Sequence, residues 1–403
     1  MATLDHNLMD SRTAWRRLAV SLAACSVGCA GYWSYVVVLP AVQADFGVTR
    51  AEASMPYTMV MLGFAFGGVI AGKLSDRYGV FAPLVGGAAL MALAFCLLGF
   101  SNSIVPFALA EGLLGLGASA SFSPLMSDIS HWFERRRGLA VSIVSSGNFV
   151  AGAIWPPIIQ QVVEAAGWRA AHFGLGAVCL GLLIPLAFLL RAPPPSAASA
   201  KNPSKPLQGV IALQPGLLLI LFCVAGFACC VAMSMPQVHL VAYCTDLGYG
   251  PAQGAQMLSI MLALGVMSRI ISGVIADRLG GLVTLLIGSS AQGLALLLYM
   301  FFDGLASLYI ISALFGFFQG GIIPMYAIMV REYFPAGKAG GHIGLIVMAT
   351  LLGMAAGGGI SGMIFDWTGS YRAAFFNGLV WNLVNLGVMA LVIARRRPAH
   401  ALA

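Results

Sequence analysis

Apolar runs of about 20 residues recur along the whole chain, and they constrain the fold more than any other feature of the sequence. Of the 403 residues, 60% are hydrophobic and 9% are charged, whereas soluble domains carry about a quarter charged residues. A helix of about 20 residues is as long as the hydrocarbon core of a bilayer is thick. A water-soluble fold is therefore excluded, and nearly all of the chain is predicted to lie in a lipid bilayer.

Twelve such runs are present, six on each side of one long polar break. They lie near 18–42, 52–74, 80–100, 104–131, 138–162 and 168–190, then near 213–243, 252–276, 282–300, 304–330, 339–365 and 371–394. The break is rich in proline, serine and lysine, as flexible linkers are. The predicted fold is an all-α membrane protein with a tail at 1–17, a six-helix half at 18–190, a linker at 191–212, a second six-helix half at 213–394 and a tail at 395–403.

Lysine and arginine are unevenly distributed between the two sets of loops. With both termini inside, 17 of the 21 basic residues fall on the cytoplasmic side and three, Arg50, Arg169 and Arg372, fall outside. Because basic loops are retained in the cytoplasm, we expect both termini there. The basic residues lie in short loops and form no single patch, so the net charge of +7 does not indicate a nucleic-acid partner.

The two halves share sequence patterns at a fixed offset. Residues 72–79 and 273–280 both read G-x-x-x-D-R-x-G, 201 residues apart, each between the second and third span of its half. At the same offset, Trp132-Phe133 with Arg137 matches Tyr333-Phe334 with Lys338. Repeats of this kind place a substrate site between the halves near mid-membrane, with access alternating between the two sides.

With the twelve spans and the basic linker, this duplicated loop resembles the major facilitator superfamily, over residues 18–394. The resemblance implies a transporter with two pseudo-symmetric six-helix halves. In the two loops, Asp76 with Arg77 and Asp277 with Arg278 are candidates for charge pairs that hold the cytoplasmic side shut. A fixed helix joint with positive-inside arginines is the alternative interpretation.

Arg269 is the one basic residue predicted inside a span. It precedes Asp277 by eight residues, which places it roughly 12 Å into a core about 30 Å thick. An arginine there costs about 2.5–3.5 kcal/mol and cannot deprotonate, so it needs an anion. That anion is either a substrate carboxylate, bound by both prongs of the guanidinium, or one of the two acids inside the fourth span, Glu111 and Asp128. We favour the substrate and retain Asp128 as a gating candidate.

The run from Arg269 to Gly273 reads R-x-x-x-G and resembles the eighth helix of monocarboxylate transporters and of the oxalate/formate antiporter group. Residues 131–140 and 239–248 resemble the entry to the fifth helix and the end of the seventh helix of these proteins. The resemblance implies that Arg269 binds a carboxylate, in a bacterial protein of the inner (plasma) membrane. The oxalate exchangers carry a second basic residue in the eleventh helix, whereas 344–362 has none here, so a single carboxylate is expected.

Other polar residues in the spans are candidates for the site. Glu111 is the first candidate for carrying a proton, because burial favours the neutral form of a carboxyl group, and His239 is the second. Interhelical hydrogen bonding is the alternative role for the polar residues predicted to line the cavity, which are Tyr32, Ser145, Asn148 and Tyr326.

The predicted function is secondary active transport of a small organic monocarboxylate, such as lactate, pyruvate or a simple aromatic acid, together with H+ and by a monomer. The alternatives are exchange of dicarboxylates, efflux of drugs or other xenobiotics, and sensing of a substrate. No enzymatic activity, metal or other cofactor is expected, since the sequence has no H-E-x-x-H, G-x-x-x-x-G-K or G-x-S-x-G pattern and its eight cysteines are not clustered at ligand spacing.

Overall fold

The computed structural model describes residues 9–134, 136–192, 210–211, 213–334 and 336–397. Most of the predicted linker and the outer ends of both predicted tails lie outside the described residues. The helices of the first half are α1 (Arg12–Gly28), α2 (Ala30–Phe46), α3 (Arg50–Tyr78), α4 (Phe81–Phe100), α5 (Ile104–Ala118), α6 (Ser123–Ser130), α7 (Arg137–Ser145) and α8 (Gly147–Leu189), with a 3-10 turn at Ser119–Ser121 between α5 and α6.

The second half has the same kind of organisation. Its helices are α9 (Pro215–Asp246), α10 (Pro251–Leu279), α11 (Gly281–Phe301), α12 (Leu305–Gln319), α13 (Ile322–Tyr333), α14 (Ala336–Thr368) and α15 (Tyr371–Ala394). Two short strands, β1 (Val210–Ile211) just before this half and β2 (Arg396–Arg397) just after it, pair antiparallel.

Among the described residues, eleven helical stretches are long and apolar enough to cross a membrane. One of them, Gly138–Leu189, has 52 residues and would be more than twice as long as the hydrocarbon core is thick. Its helix is interrupted at Gly167, where φ is 82° and ψ is 164°, so this stretch crosses twice. The predicted all-α fold with twelve spans is confirmed.

The first helix begins earlier than the hydropathy pattern indicates. The helix α1 starts at Arg12, inside the predicted N-terminal tail, because the Ser11 hydroxyl accepts a hydrogen bond from the Ala14 N–H and caps the helix. Arg17 is buried in this helix and is paired with Asp128, which is why a charged residue is tolerated there.

The chain forms two compact units. One contains Met1–Ala200 with Cys244–Ser259, and the other contains Lys201–Tyr243 with Ile260–Ala403. The sequence pattern assigned all of 213–394 to the second half, whereas the end of α9 and the start of α10 group with the first unit. Asp246 accepts hydrogen bonds from Arg50, and the Ser259 hydroxyl donates to the Ala153 carbonyl, both within that unit.

The internal repeat extends to the backbone conformation. Gly79 and Gly280, the last residues of the two repeated loops, have φ of 73° and 84°, a region that side-chain-bearing residues rarely adopt. Gly47 and Gly248, also 201 residues apart, have φ of 63° and 82°. The two halves therefore turn at equivalent positions, in agreement with the predicted pseudo-symmetry.

Close helix packing also repeats. A Cβ placed on Gly115 of α5 would overlap the Val60 carbonyl of α3, and one on Gly316 of α12 would overlap the Met261 carbonyl of α10. Residues 60 and 115 match 261 and 316 at the offset of 201. Glycine at both places lets two helix backbones touch, as is common in membrane bundles.

Candidate functional site

Arg269 lies on α10, and its side chain contacts the short break between helices α12 and α13. Its Nε donates a hydrogen bond to the Gly320 carbonyl at 3.2 Å, and the adjacent Ser268 hydroxyl accepts one from the Gly321 N–H at 3.0 Å. Gly320 and Gly321 separate α12 from α13, so their backbone groups lie outside the regular helical pattern. The half-buried guanidinium is thus held in an apolar span by a polar backbone group.

Tyr326 lies on α13, one turn beyond this break. Its hydroxyl donates to Asn385 Oδ1 at 3.2 Å, and Asn385 in turn donates to the Ser289 hydroxyl at 2.8 Å. The tyrosine also borders a small cavity of about 20 Å³, large enough for a single water molecule. The remaining cavity residues are Ile323, Ala327, Ile343, Ile346, Val347 and Thr350.

His239 is fully buried on α9. Its Nε2 lies 2.9 Å from the Gly358 carbonyl, which can only accept, so Nε2 carries a hydrogen. In the neutral ring, Nδ1 is then the acceptor for the Tyr371 hydroxyl at 3.5 Å. Both ring nitrogens therefore contact neighbouring helices, Nε2 on α14 and Nδ1 on α15.

The candidate residues of the first unit gather around α2. Tyr32 is buried between aromatic rings, with ring centroids 4.8 Å from Trp33, 6.3 Å from Tyr57 and 5.8 Å from Phe64. The Trp33 indole N–H donates to both the backbone carbonyl and Oδ1 of Asn148, at 2.9 and 3.0 Å. Trp33 therefore brings Tyr32 and Asn148 together and fixes the orientation of the Asn148 amide.

Ser145 is half-buried at the end of α7, where its hydroxyl donates to the Ser142 carbonyl at 2.9 Å. A helical serine commonly makes this local bond. The helix breaks directly afterwards, between Ser145 and Gly147, and this places Ser145 one turn before Asn148 along the chain.

Glu111 on α5 is fully buried, and neither carboxylate oxygen has a hydrogen-bond partner among the described residues. Burying a charged carboxylate without a partner is costly. The side chain lies near Tyr35 of α2, because the Tyr35 ring packs against Phe107, one turn before Glu111, at 5.7 Å between centroids.

Asp128 is engaged within its own unit. Arg17 Nε donates to Asp128 Oδ2 at 2.7 Å, and Arg17 Nη2 donates to Asp128 Oδ1 at 2.8 Å and to the Leu190 carbonyl at 2.9 Å. The Trp132 ring covers the same guanidinium at 4.6 Å. Asp128 therefore has a cationic partner, Arg17, other than Arg269. The sequence offered no local signal for this pair, since Arg17 and Asp128 are 111 positions apart.

The repeated loops place their charged residues in exposed positions. Asp76, Arg77, Asp277 and Arg278 all lie in the last turn of α3 or α10 and are exposed. Neither Asp76 nor Asp277 forms an ion pair with a described residue. Arg77 lies over the Tyr78 ring at 5.2 Å. Within the described part of this structure, these aspartates therefore do not form the charge pairs that were predicted to hold the cytoplasmic side shut.

The three arginines assigned to the opposite side each have an aspartate partner. Arg50 contacts Asp246 at 2.9 Å, Arg169 contacts Asp45 at 2.8 Å and Arg372 contacts Asp303 at 3.2 Å. Sequence reasoning missed these aspartates because each lies at a helix end or in a loop. Asp45 and Asp246 are 201 residues apart, so the repeat itself was a signal for their equivalence.

Two repeated halves of six membrane spans each, with ionisable side chains held inside apolar spans, define a multi-pass membrane transport protein. No group of three or more metal-ligating side chains occurs among the described residues. The family model described as Major Facilitator Superfamily matches residues 20–311 and 283–403. The chain belongs to the Major Facilitator Superfamily.

Known proteins similar to this chain are transporters. It is 28% identical to Monocarboxylate transporter 13 of Bos taurus over 382 residues, covering 89% of each chain. It is 25% identical to Monocarboxylate transporter 12 of Mus musculus, covering 88% of this chain and 79% of the relative. It is 27% identical to the Agnestins efflux protein AgnL12 of Paecilomyces divaricatus, covering 81% and 74%.

A solved structure has the same fold. The crystal structure of a bacterial homolog of the human lysosomal transporter Spinster, in an inward-facing and occupied conformation, aligns with a TM-score of 0.71. The alignment covers 95% of this chain and 98% of that one, at 13% sequence identity. At this identity the likeness concerns the fold alone.

Proposed function

We propose that this protein moves a small organic monocarboxylate across the membrane by alternating access and that Arg269 binds the carboxylate. The observation that carries this proposal is a permanently charged guanidinium held inside an apolar span, with its Nε directed to the Gly320 carbonyl. A carboxylate would bind through the two terminal nitrogens, Nη1 and Nη2, in the paired geometry that guanidinium groups favour. The similarity to proteins named monocarboxylate transporters supports this substrate class.

The substrate is a lactate- or pyruvate-like acid or a simple aromatic acid. Arg269, the one basic residue that the sequence predicts inside a span, suits a single carboxylate, and Phe318, Ile322 and Ile323 flank the break at which it is held. Asn148, Tyr32, Tyr326 and Ser145 complete the proposed binding set. The tyrosines supply apolar surface with a polar tip, and Asn148 is fixed by Trp33.

Proton coupling is assigned to Glu111. Its carboxyl group is buried without a hydrogen-bond partner among the described residues, so its neutral form is compatible with the site and its charged form needs a nearby cation. His239 is the second candidate. The exposed residues Asp76, Arg77, Asp277 and Arg278 are proposed to act in gating on the cytoplasmic side, where they pair only in another state of the transport cycle.

The protein is proposed to act as a monomer in the bacterial inner membrane with both termini in the cytoplasm. The three arginines on the other side are each neutralised by an aspartate. The proposed orientation rests on the distribution of the basic residues themselves, 17 against three.

The experiment is uptake by the purified protein in liposomes. Radiolabelled lactate, pyruvate and benzoate, with oxalate and succinate for comparison, identify the substrate class. We expect monocarboxylate uptake that is faster when the outside is acidic. Arg269→Ala is expected to lower kcat/KM by at least about 100-fold, since it removes two hydrogen bonds to a charged group that contribute about 1.5–3 kcal/mol each. Arg269→Lys is expected to retain little uptake activity, because the point charge of an ammonium group cannot replace the two-pronged planar guanidinium.

Arg372→Ala provides the matched control, because this arginine lies in the same half but is exposed and paired with Asp303. It should transport normally. Normal uptake by a well-folded Arg269→Ala variant would refute carboxylate binding by Arg269, and preference for oxalate or succinate would favour dicarboxylate exchange.

A second candidate is export of a carboxylate-bearing product, favoured by the similarity to an efflux protein. The same binding site serves either direction of transport. Comparing accumulation in cells with and without the protein distinguishes the two, because export lowers the intracellular level of a labelled acid and import raises it.

A further inference from the structure

A pair of buried glutamines lies beside the break at which Arg269 is held. Gln319 is the last residue of α12, and its neighbour Gly320 accepts the hydrogen bond from Arg269 Nε at 3.2 Å. From α9, Gln237 Nε2 donates to Gln319 Oε1 at 3.0 Å. Gln237 is 2% exposed and Gln319 is 1% exposed. Neither glutamine belongs to the binding set proposed above.

Three helices meet at this break. The end of α12 touches α10 directly, because a Cβ on Gly320 would overlap the Gly265 carbonyl. On another side, Gln319 contacts α9 through Gln237. Adjacent Cα atoms are about 3.8 Å apart, so the Gln319 backbone lies directly next to the residue that holds the guanidinium. All of these residues belong to one compact unit.

The same face of α9 also contacts α13. A Cβ on Gly226 of α9 would lie 3.8 Å from Cε1 of Tyr326. Gly226 and Gln237 are 11 residues apart, close to three helical turns, so they share one face of α9. Gln319 therefore faces the same helix as Tyr326, which is a member of the proposed binding set.

The Gln319 amide has one hydrogen-bonding group that the protein does not use. Its Oε1 accepts from Gln237, whereas its buried Nε2 has no hydrogen-bond partner among the described residues. An amide nitrogen can only donate. A buried donor without an acceptor is costly, and buried polar groups in folded proteins are nearly always paired. This nitrogen is therefore suited to an acceptor oxygen brought by a ligand.

We propose that Gln319 is a further substrate-binding residue, whose Nε2 donates to an oxygen on the carbon next to the carboxylate of the transported acid. The inference rests on the proposed function, in which Arg269 binds both carboxylate oxygens. In a 2-hydroxy or 2-oxo acid, the next acceptor along the molecule is the oxygen on C2. Lactate and pyruvate carry this oxygen, whereas propionate and benzoate do not, so the site selects the first two.

Gln237 is the positioning residue for this contact. A glutamine amide can turn over, which exchanges the places of its oxygen and its nitrogen. The Gln237 N–H can bond only to the oxygen of Gln319, so it holds Oε1 toward α9 and directs Nε2 away from Gln237. Without Gln237 both orientations are accessible, and the donor faces the substrate only part of the time.

The test compares lactate with propionate, which differ only by the 2-hydroxyl group. Initial rates of labelled uptake into proteoliposomes at fixed pH give kcat/KM for each acid. The wild type should prefer lactate by about 10-fold or more, because propionate both loses the hydrogen bond and leaves the donor unpaired. Gln319→Leu has a similar size but no donor, and it should bring the ratio of the two kcat/KM values to within about threefold of one.

Gln292→Leu is the matched control. Gln292 is a fully buried glutamine on α11 of the same unit, and its amide contacts the carbonyl and the thiol of Cys229. This variant should keep the wild-type ratio of lactate to propionate, whatever its effect on the two rates.

A glutamine pair that only holds the helices together predicts a different pattern. Gln319→Leu and Gln237→Leu would then change kcat/KM for lactate and for propionate by the same factor. That result, or a wild type that does not distinguish the two acids, would overturn the inference. If Gln237 positions the amide, Gln237→Leu should lower the ratio by less than Gln319→Leu does.

Two further variants keep the outcomes distinguishable. If Gln319→Leu does not fold, as judged by thermal unfolding in detergent, Gln319→Met takes its place and should give the same low ratio. Arg269→Ala should lower the uptake of lactate and propionate alike, because both acids carry the carboxylate. If it does so while the Gln319 variants keep the wild-type ratio, only this inference fails.

The opposite outcome separates the two proposals as well. If Arg269→Ala transports both acids normally, the proposed carboxylate site fails, while a ratio lowered by Gln319→Leu still supports recognition of the C2 oxygen. If the wild type takes up neither lactate nor propionate, the proposed function fails and this inference fails with it.

Discussion

Replacing Asp128 by asparagine tests whether its ion pair with Arg17 stabilises the fold of the first unit or acts as a gate. Both side chains are only 5% exposed, so the pair belongs to the buried class. Removing one partner from a buried pair costs about 3–5 kcal/mol, because the other charge is left uncompensated. Arg17 keeps the Leu190 carbonyl and the Trp132 ring as neighbours, but neither carries a compensating negative charge.

We therefore expect Asp128→Asn to lower the free energy of unfolding by about 3–5 kcal/mol. The double variant Arg17→Met with Asp128→Leu removes both charges and leaves only the Leu190 carbonyl without its donor, so its cost should fall to about 1–3 kcal/mol. The assay is denaturant unfolding of the purified protein in mixed micelles, followed by tryptophan fluorescence. Substrate affinity is measured on the same samples.

Asp303→Asn is the reference for this experiment. In this ion pair the Arg372 side chain is 62% exposed and the Asp303 side chain is 52% exposed. Exposed ion pairs contribute about 1 kcal/mol or less to the free energy of unfolding. A cost for Asp128→Asn no larger than that of Asp303→Asn, together with a changed transport rate, would refute the structural interpretation. Such a result would restore Asp128 as a gating residue.

Two further predictions concern packing and the proposed binding residues. Gly316→Ala should destabilise the protein by about 1–3 kcal/mol, because the new Cβ overlaps the Met261 carbonyl, whereas Gly273→Ala, with nothing within 4 Å of its Cβ, should be neutral or stabilising in thermal unfolding. Trp33→Phe removes both hydrogen bonds to Asn148 and should raise KM for uptake more than it lowers kcat. Trp155→Phe, which loses one bond to a backbone carbonyl, is its control, and equal KM values for the two would contradict a role for Asn148.

The architecture can be predicted from the amino-acid sequence alone, because the bilayer imposes a physical length on every crossing. All twelve predicted spans are helical, although those at 18–42, 104–131, 138–162 and 304–330 each contain a break between two helices. The predicted boundary between the fifth and sixth spans agrees with the interruption at Gly167. The internal repeat can also be recognised in the sequence, because a physical requirement fixes the residue type at one position of each repeated loop. A tight loop between two helices needs glycine at a fixed position, and Gly79 and Gly280 meet that need in both halves.

The pairing of charged groups, by contrast, becomes visible in the folded protein and not in the sequence. Arg17 and Asp128 are 111 positions apart, and Arg50 and Asp246 are 196 apart. Hydropathy reports that a residue lies in a helix, but not how that helix is rotated or which neighbour it packs against. Pairing between distant helices depends on both, because charged groups inside an apolar bundle are stable only where packing brings a partner within hydrogen-bonding distance.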